Sequence, residues 1–390
     1  MAVYKLYPLQ DATLYSFYSY MNTGLDPIIE CINLNVNINP VPQVSRFLIE
    51  FDQGEINNVV DNVIGNQQFS ASLKSYIATA QGVIFDTDLE AYPISGSWNN
   101  GSGTYLDSPI TANGCSWVAR TFSGSGGENW LVDGYTNNVT GSYSSSAFAG
   151  GGNWYTGSGD TNHPNIEVTQ SFTLRSDKDL NMPVTDIVKV WYSSSKGLSP
   201  FSIENNGFIV KWEDSIEFST AEAVQPVLQF YSVDTNTIYP PLLEIKWNDQ
   251  SFNPGDLPQI ATTDLYVALD SNPGVFYSGS INRFRLNVRP DFPTRTFQTS
   301  SIDTSNHYLN SGSLFAIKDL DTNEFVVQFD DDFTRISCDD QSNYFDVYMN
   351  GLQPERYYQI LIKTTISGST IVMDDQYYFK VVNGYWQKID

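Results

Sequence analysis

A chain of 390 residues with 44 Asp and Glu against 20 Lys and Arg carries a net charge of −24. That excess of carboxylates argues against nucleic acid as a partner, since phosphate recognition needs clustered cations. It suits solubility and repulsion between chains. Aromatics at 14% favour sheets, where they pack well with β-branched neighbours.

In chain order, Asp11 to Tyr15 reads as a first strand and Asn22 to Asp26 as a turn in which Gly24 supplies a positive φ if one is needed. Ile28 to Ile38 alternates through Ile32, Leu34, Val36 and Ile38, which predicts a strand. Val44 to Asp52 follows, with Phe47, Ile49 and Phe51 at period two on one buried face. Arg46, Glu50 and Asp52 share the opposite face, and a structural charge network among them is expected there. Ser72 to Ala80 fits either period and is read as strand.

From Ser95 to Gly159 the composition changes. Trp98, Trp117, Trp130 and Trp154 are spaced among glycines, serines and asparagines. Long loops of this kind are functional or disordered, and the spaced tryptophans predict ordered loops packed by their own aromatics. Those four tryptophans, with Tyr155, are the candidate binding residues, for a subunit interface or for the apolar face of a sugar. Gln170 to Leu174 returns to strand alternation. Asp179 to Val190 predicts a short helix starting after Asn181 or Pro183 and leading to Trp191. Gly207 to Trp212 and Leu242 to Trp247 are apolar strands.

Pro254, Gly255 and Pro258 break any regular element. The expected domains are residues 1–250, a linker at 251–263, and 264–390, where about seven short strands separated by turn signals suit an immunoglobulin-like sandwich. The chain is expected to be all-β: a jelly-roll-like sandwich with long Trp/Gly/Ser-rich loops, followed by the immunoglobulin-like one.

The three cysteines, Cys31, Cys115 and Cys338, imply no disulfide framework, and with His163 and His307 as the only histidines no metal cluster is implied. The Asp330–Asp332 and Asp339–Asp340 runs lack the spacing of a calcium loop and read as solvated turns. Glu128, Asp133 and Asp160 lie near the tryptophans, yet without recognisable catalytic spacing. No phosphate loop, nucleophile elbow or HExxH occurs. No catalytic residue, cofactor or metal is therefore assigned, and the chain is not expected to be an enzyme. No secretory signal is expected at its start, and no run approaches the roughly 20 apolar residues of a membrane span.

The first 250 residues resemble the DNRLRE-type, carbohydrate-binding-module-like β-sandwich. The resemblance rests on Asp11-Ala12-Thr13 with Asn22-Thr23-Gly24, on Ser45 to Asp52, on Ser97-Trp98 with Asn100 to Gly103, and on Gly114 to Trp117. It continues through Lys178-Asp179-Leu180, Val184 to Val188, Asn205 to Phe208 and Pro241 to Trp247. No single motif is specific; their order is. The tail, with Arg289-Pro290 and Pro354 to Tyr358, is similar to a companion domain in structural proteins of tailed bacteriophages, especially marine ones. The resemblance implies a virion component assembled in the host cytoplasm, at the neck, tail or fibre attachment. It implies other virion structural proteins and further copies of the chain as partners, and a host glycan as the alternative partner.

Overall fold

The computed structural model describes residues 2–34, 43–65, 67–124, 126–130, 139–141, 150–155, 166–199, 203–217, 226–270, 272–292 and 305–384. The chain forms two compact units. One holds 6–65 and 70–244, the other 1–5, 66–69 and 245–390. Both are built of sheets, as the all-β expectation requires.

In the larger unit, β1 (Gln10–Tyr15), β2 (Ile28–Leu34), β3 (Gln43–Glu50), β4 (Phe69–Ser75), β5 (Ile77–Gln81), β6 (Thr87–Pro93), β7 (Val168–Phe172), β8 (Leu180–Pro183), β9 (Phe208–Trp212) and β10 (Val227–Tyr231) carry the framework. An eight-stranded sheet runs in the order β7-β6-β9-β3-β2-β10-β5, with β1 also on β3. β3 pairs with β1 along its length (Asp11↔Ile49, Thr13↔Phe47) and with β9 (Phe208↔Ile49). Its pairing with β2 is confined to Asn33↔Val44 and Leu34↔Gln43. Where β2 parts from β3, hydroxyls satisfy its backbone. Ser45 Oγ accepts from Ile32 N at 3.0 Å and donates to Glu30 O at 2.7 Å, and Thr13 Oγ1 accepts from Glu30 N at 3.1 Å.

Phe47, Ile49 and Phe51 are buried as their period predicts. Phe47 meets Phe230, and Phe51 and Trp191 meet Phe208 at 6.2 and 4.6 Å between ring centroids. Trp191 belongs to α2 (Thr185–Ser195), whose Ile187, Val188 and Trp191 form one apolar stripe. The helix falls near its predicted start, but β8 precedes it, paired with β4 from Leu180↔Ser75 to Pro183↔Ser72. The stretch read as a single strand from Ser72 to Ala80 is two, divided at Tyr76. A short helix α1 (Gln53–Asn58) follows β3, started by Asp52, whose carboxylate accepts from Gly54 N at 2.7 Å.

The smaller unit is an immunoglobulin-like sandwich. Its strands are β11 (Leu265–Asp270), β12 (Val275–Tyr277), β13 (Ile281–Pro290), β14 (Leu314–Asp319), β15 (Phe325–Val327), β16 (Ser337–Cys338), β17 (Asn343–Tyr348), β18 (Tyr357–Ile366) and β19 (Ser369–Val382). One sheet is β11-β13-β17-β16 and the other β12-β19-β18-β14-β15. Between them Phe284, Phe315, Phe345 and Phe379 stack in a common core. Tyr358 on β18 donates its hydroxyl to Gln353 O at 2.9 Å, the tyrosine corner of this fold.

The stretch expected as a linker is 251–263. It has no strand or helix, but it is fixed to the smaller unit by bridges Phe252↔Cys338 and Gln259↔Tyr308, and Ile260 is buried in the core. The boundary falls at Glu244/Ile245, inside the strand Leu242–Trp247. All three cysteines are free and buried.

Candidate functional site

The face of β3 opposite Phe47, where a structural charge network was expected among Arg46, Glu50 and Asp52, is a second core that encloses Arg46 with other partners. Ala12 on β1, Leu48 on β3, Ile209 on β9 and Tyr92 on β6 stand in one cross-strand row. Beside that row lie Leu14, Arg46, Lys211 and Glu90, through the pairings Leu14↔Arg46 and Lys211↔Glu90. The tryptophan loops cover both rows. Trp98, Trp117, Trp130 and Trp154 are all buried, in one cluster with Leu14, Leu48, Tyr92 and Ile209.

Each loop has its own anchor. Trp98 Nε1 donates to Asn206 O at 2.8 Å, and Trp130 Nε1 to Ser116 O at 2.9 Å. Trp154 sits on the short strand Asn153–Tyr155, bridged to Ile94. Trp117 is flanked by Gly150 and Gly151, and Gly152 after them faces Ile209; all three are at positive φ. A Cβ on Gly150 would stand 2.0 Å from Trp117 O, and one on Gly151 2.7 Å from the indole ring. The glycine run is there because the backbone must lie against that ring.

Arg46 is enclosed by this layer. Its guanidinium lies 5.1 Å from the ring centroids of both Trp117 and Trp154, and donates to Gly151 O at 2.8 Å. Nε and Nη2 reach the two carboxylate oxygens of Glu217 at 2.6 and 3.0 Å, and neither side chain touches solvent. Glu217 ends the short helix α3 (Asp214–Glu217). Lys211 Nζ lies 2.8 Å from Glu90, 2.9 Å from Asp214 and 3.8 Å from Glu217. Burial by itself depresses the Lys211 ammonium pKa, but the facing Glu217 and Glu90 carboxylates outweigh it and hold the value above that of an ordinary lysine. Arg46 and Lys211 are thus matched by Glu217 and Glu90. In this enclosed setting the charges fasten loops to the sheet.

The other expected partners of Arg46 are elsewhere. Glu50 is hydrogen-bonded to Gln10 Nε2 at 2.5 Å, and Asp52 caps α1. Glu128 pairs with Arg120. Asp133, Asp160 and His163 lie outside the described residues; His307 is in a loop, its Nδ1 3.0 Å from Ser305 O. Asp339 holds Arg285 through two hydrogen bonds of 3.0 and 2.7 Å, and Asp330 accepts from Asp332 N and Phe333 N in a turn. The four tryptophans read as binding residues are buried together in one cluster, and Tyr155 beside them is half-buried.

The exposed aromatics lie elsewhere. Tyr18, Tyr20, Leu25, Tyr105, Leu106 and Ile110 are all exposed, on two segments laced together. Asn22 N donates to Thr111 O, Leu25 N to Gly103 O, Tyr105 N to Asp26 Oδ2 at 2.7 Å, and the Tyr18 and Tyr105 rings meet edge-on at 6.2 Å. Leu106 projects from a backbone at φ +57° and is 50% exposed, a costly conformation for a residue with no packing reward there. Sequence reasoning passed over this patch. Its signal was available: neither Tyr15 to Asp26 nor Asn99 to Asn113 contains a lysine or arginine.

The fold defines a class, an all-β protein of sandwich-like units with aromatics exposed outside their cores. No protein-family model matches the chain, and no curated protein matches it. Among solved structures, a DUF4785 family protein from Legionella pneumophila aligns at 8% identity and a TM-score of 0.17, over 98% of this chain and 62% of that one. The chain therefore spans less than two thirds of that protein, and a likeness so distant carries no argument.

Proposed function

We propose that this protein is a non-enzymatic structural component of a tailed bacteriophage virion, at the neck, tail or fibre-attachment region, working through contacts with other virion proteins and with further copies of itself. The ordered series of motifs shared with DNRLRE-type sandwiches supports the class of protein. The observation that carries the mode of action is the enclosure of Trp98, Trp117, Trp130 and Trp154 over the Arg46–Glu217 pair. Large aromatics spent on rigidity build a scaffold, and the faces that scaffold displays are broad and aromatic, as protein interfaces are. The alternative, attachment to a host glycan, loses its tryptophan platform.

The test is mass spectrometry of purified phage particles, treated stepwise to separate tails from heads. The protein is expected in the particles and retained with one fragment. Recovery only from free lysate or cell surfaces overturns the proposal.

A further inference from the structure

Among the described residues, the outer face of the β12-β19-β18-β14-β15 sheet in the smaller unit is exposed along β12, β19, β18 and β15, while Leu314 and Ala316 on β14 are buried and Phe329 lies 5.3 Å from Lys363. Register places its side chains. Tyr357 stands opposite Lys380, Gln359 opposite Tyr378, and Lys363 opposite Val372. Val275 and Tyr277 on β12 extend the face beside Lys380 and Val382, and Phe325 on β15 extends it beside Lys318. Tyr357, Val372, Tyr378, Val275, Tyr277 and Phe325 are all exposed, Tyr277 to 63%. Lys380 lies over Tyr357 at 5.8 Å, and Lys318 over Phe325 at 5.8 Å. The nearby carboxylates are Glu355, paired with Lys380, and Asp374 beside the strand bulge. In a chain of net charge −24, this is an aromatic face carrying three lysines against two acids.

The tyrosine patch of the larger unit is its complement. It is equally apolar, its charges are Asp26 and Asp107, and no cation lies in either segment that builds it. We infer that the lysine-bearing sheet face of one copy docks on the tyrosine patch of a second copy. This deepens the structural reading by naming the partner and its two surfaces. Contact of each face with its own kind would set lysine against lysine, or aspartate against aspartate, so the charges favour the head-to-tail arrangement. Because the surfaces differ, each added copy leaves one of each free, and the contact closes into a ring or continues as a filament. Five strands about 4.8 Å apart and some six residues long give a face of about 20 by 20 Å, the size of a weak, transient interface. Such a contact becomes stable through repetition around an axis.

Sedimentation velocity at physiological ionic strength, where repulsion between the acidic chains is screened beyond about 8 Å, tests this up to about 300 μM, the range for an interface so small. Three chains are compared: the native protein, a patch variant (Tyr20→Glu with Leu106→Asn) and a face variant (Val372→Glu with Tyr378→Glu). All four positions are exposed, and circular dichroism melts confirm folding; Tyr277→Glu replaces the face variant if that chain melts early. The native protein is expected to pass beyond dimer with concentration, each variant to stay monomeric, and an equimolar mixture of the two variants to stop at a dimer. A native protein monomeric throughout overturns the inference. So does one variant that still self-associates, or a mixture that stays monomeric. None of these results bears on presence in the particle, which the mass spectrometry decides separately.

Discussion

Glu217→Gln keeps the shape of the carboxylate and removes its charge from the enclosed Arg46. Of the two hydrogen bonds of 2.6 and 3.0 Å, only one keeps an acceptor, since the amide NH2 faces the other guanidinium N–H, and Lys211, 3.8 Å away, loses a counter-charge as well. Breaking one side of a buried pair costs about 3–5 kcal/mol, because the remaining charge stays out of water. Removing both sides with Arg46→Met and Glu217→Leu takes away the stranded charge, so the double variant is expected to fall short of the sum of the singles by about 2 kcal/mol or more. Lys211 keeps Glu90 and Asp214 in that background. Urea unfolding followed by tryptophan emission reads this out, since six of the eight tryptophans lie between Trp98 and Trp212 in the larger unit. A Glu217→Gln cost below about 1 kcal/mol, the size expected of a surface pair, refutes the enclosure. Simple additivity of the two single changes refutes the coupling.

Further outcomes concern the same framework. Asp11 is buried among carboxylates, which pushes its pKa up to about 8 despite the hydrogen bond from Val233 N. The folded state then holds a proton the unfolded state has released. The Asp11 contribution is full below about pH 4 and falls by roughly 1.4 kcal/mol per pH unit up to about pH 8. Urea midpoints across that range should show the slope, and Asp11→Asn should flatten it. Gly150→Ala would place a methyl group against Trp117 O, and thermal melting should show the tryptophan layer lost or the chain unfolded. Tyr358→Phe removes the hydroxyl bond to Gln353 O, and a loss of about 1 kcal/mol in the smaller unit is expected on denaturation.

What could be read from sequence was local. The period of Phe47, Ile49 and Phe51 gave β3 and its inner face, and the spacing of the tryptophans marked aromatics that pack together in one cluster. What escaped depended on distant chain. Arg46 was matched with the nearby Glu50 and Asp52, because Glu217 lies 171 residues away and no local pattern joins them. The Pro/Gly-rich stretch at 251–263 read as a linker because the groups that fix it, Cys338 and Tyr308, come much later. The tyrosine patch was missed for another reason: its residues sit in turns and loops, where neither period applies, and only the lack of cations marks them.

The reading of this protein as a scaffold that meets its partners through flat faces depends most directly on its tryptophans being enclosed. Iodide quenching of native emission measures that, in a Trp386→Phe background that leaves the seven buried tryptophans from Trp98 to Trp247 as the reporters. Blue-shifted emission that iodide barely reduces until urea unfolds the larger unit is the predicted result. Red-shifted emission quenched in the folded protein, and protected by a soluble polysaccharide, would contradict it and return the tryptophans to a binding role.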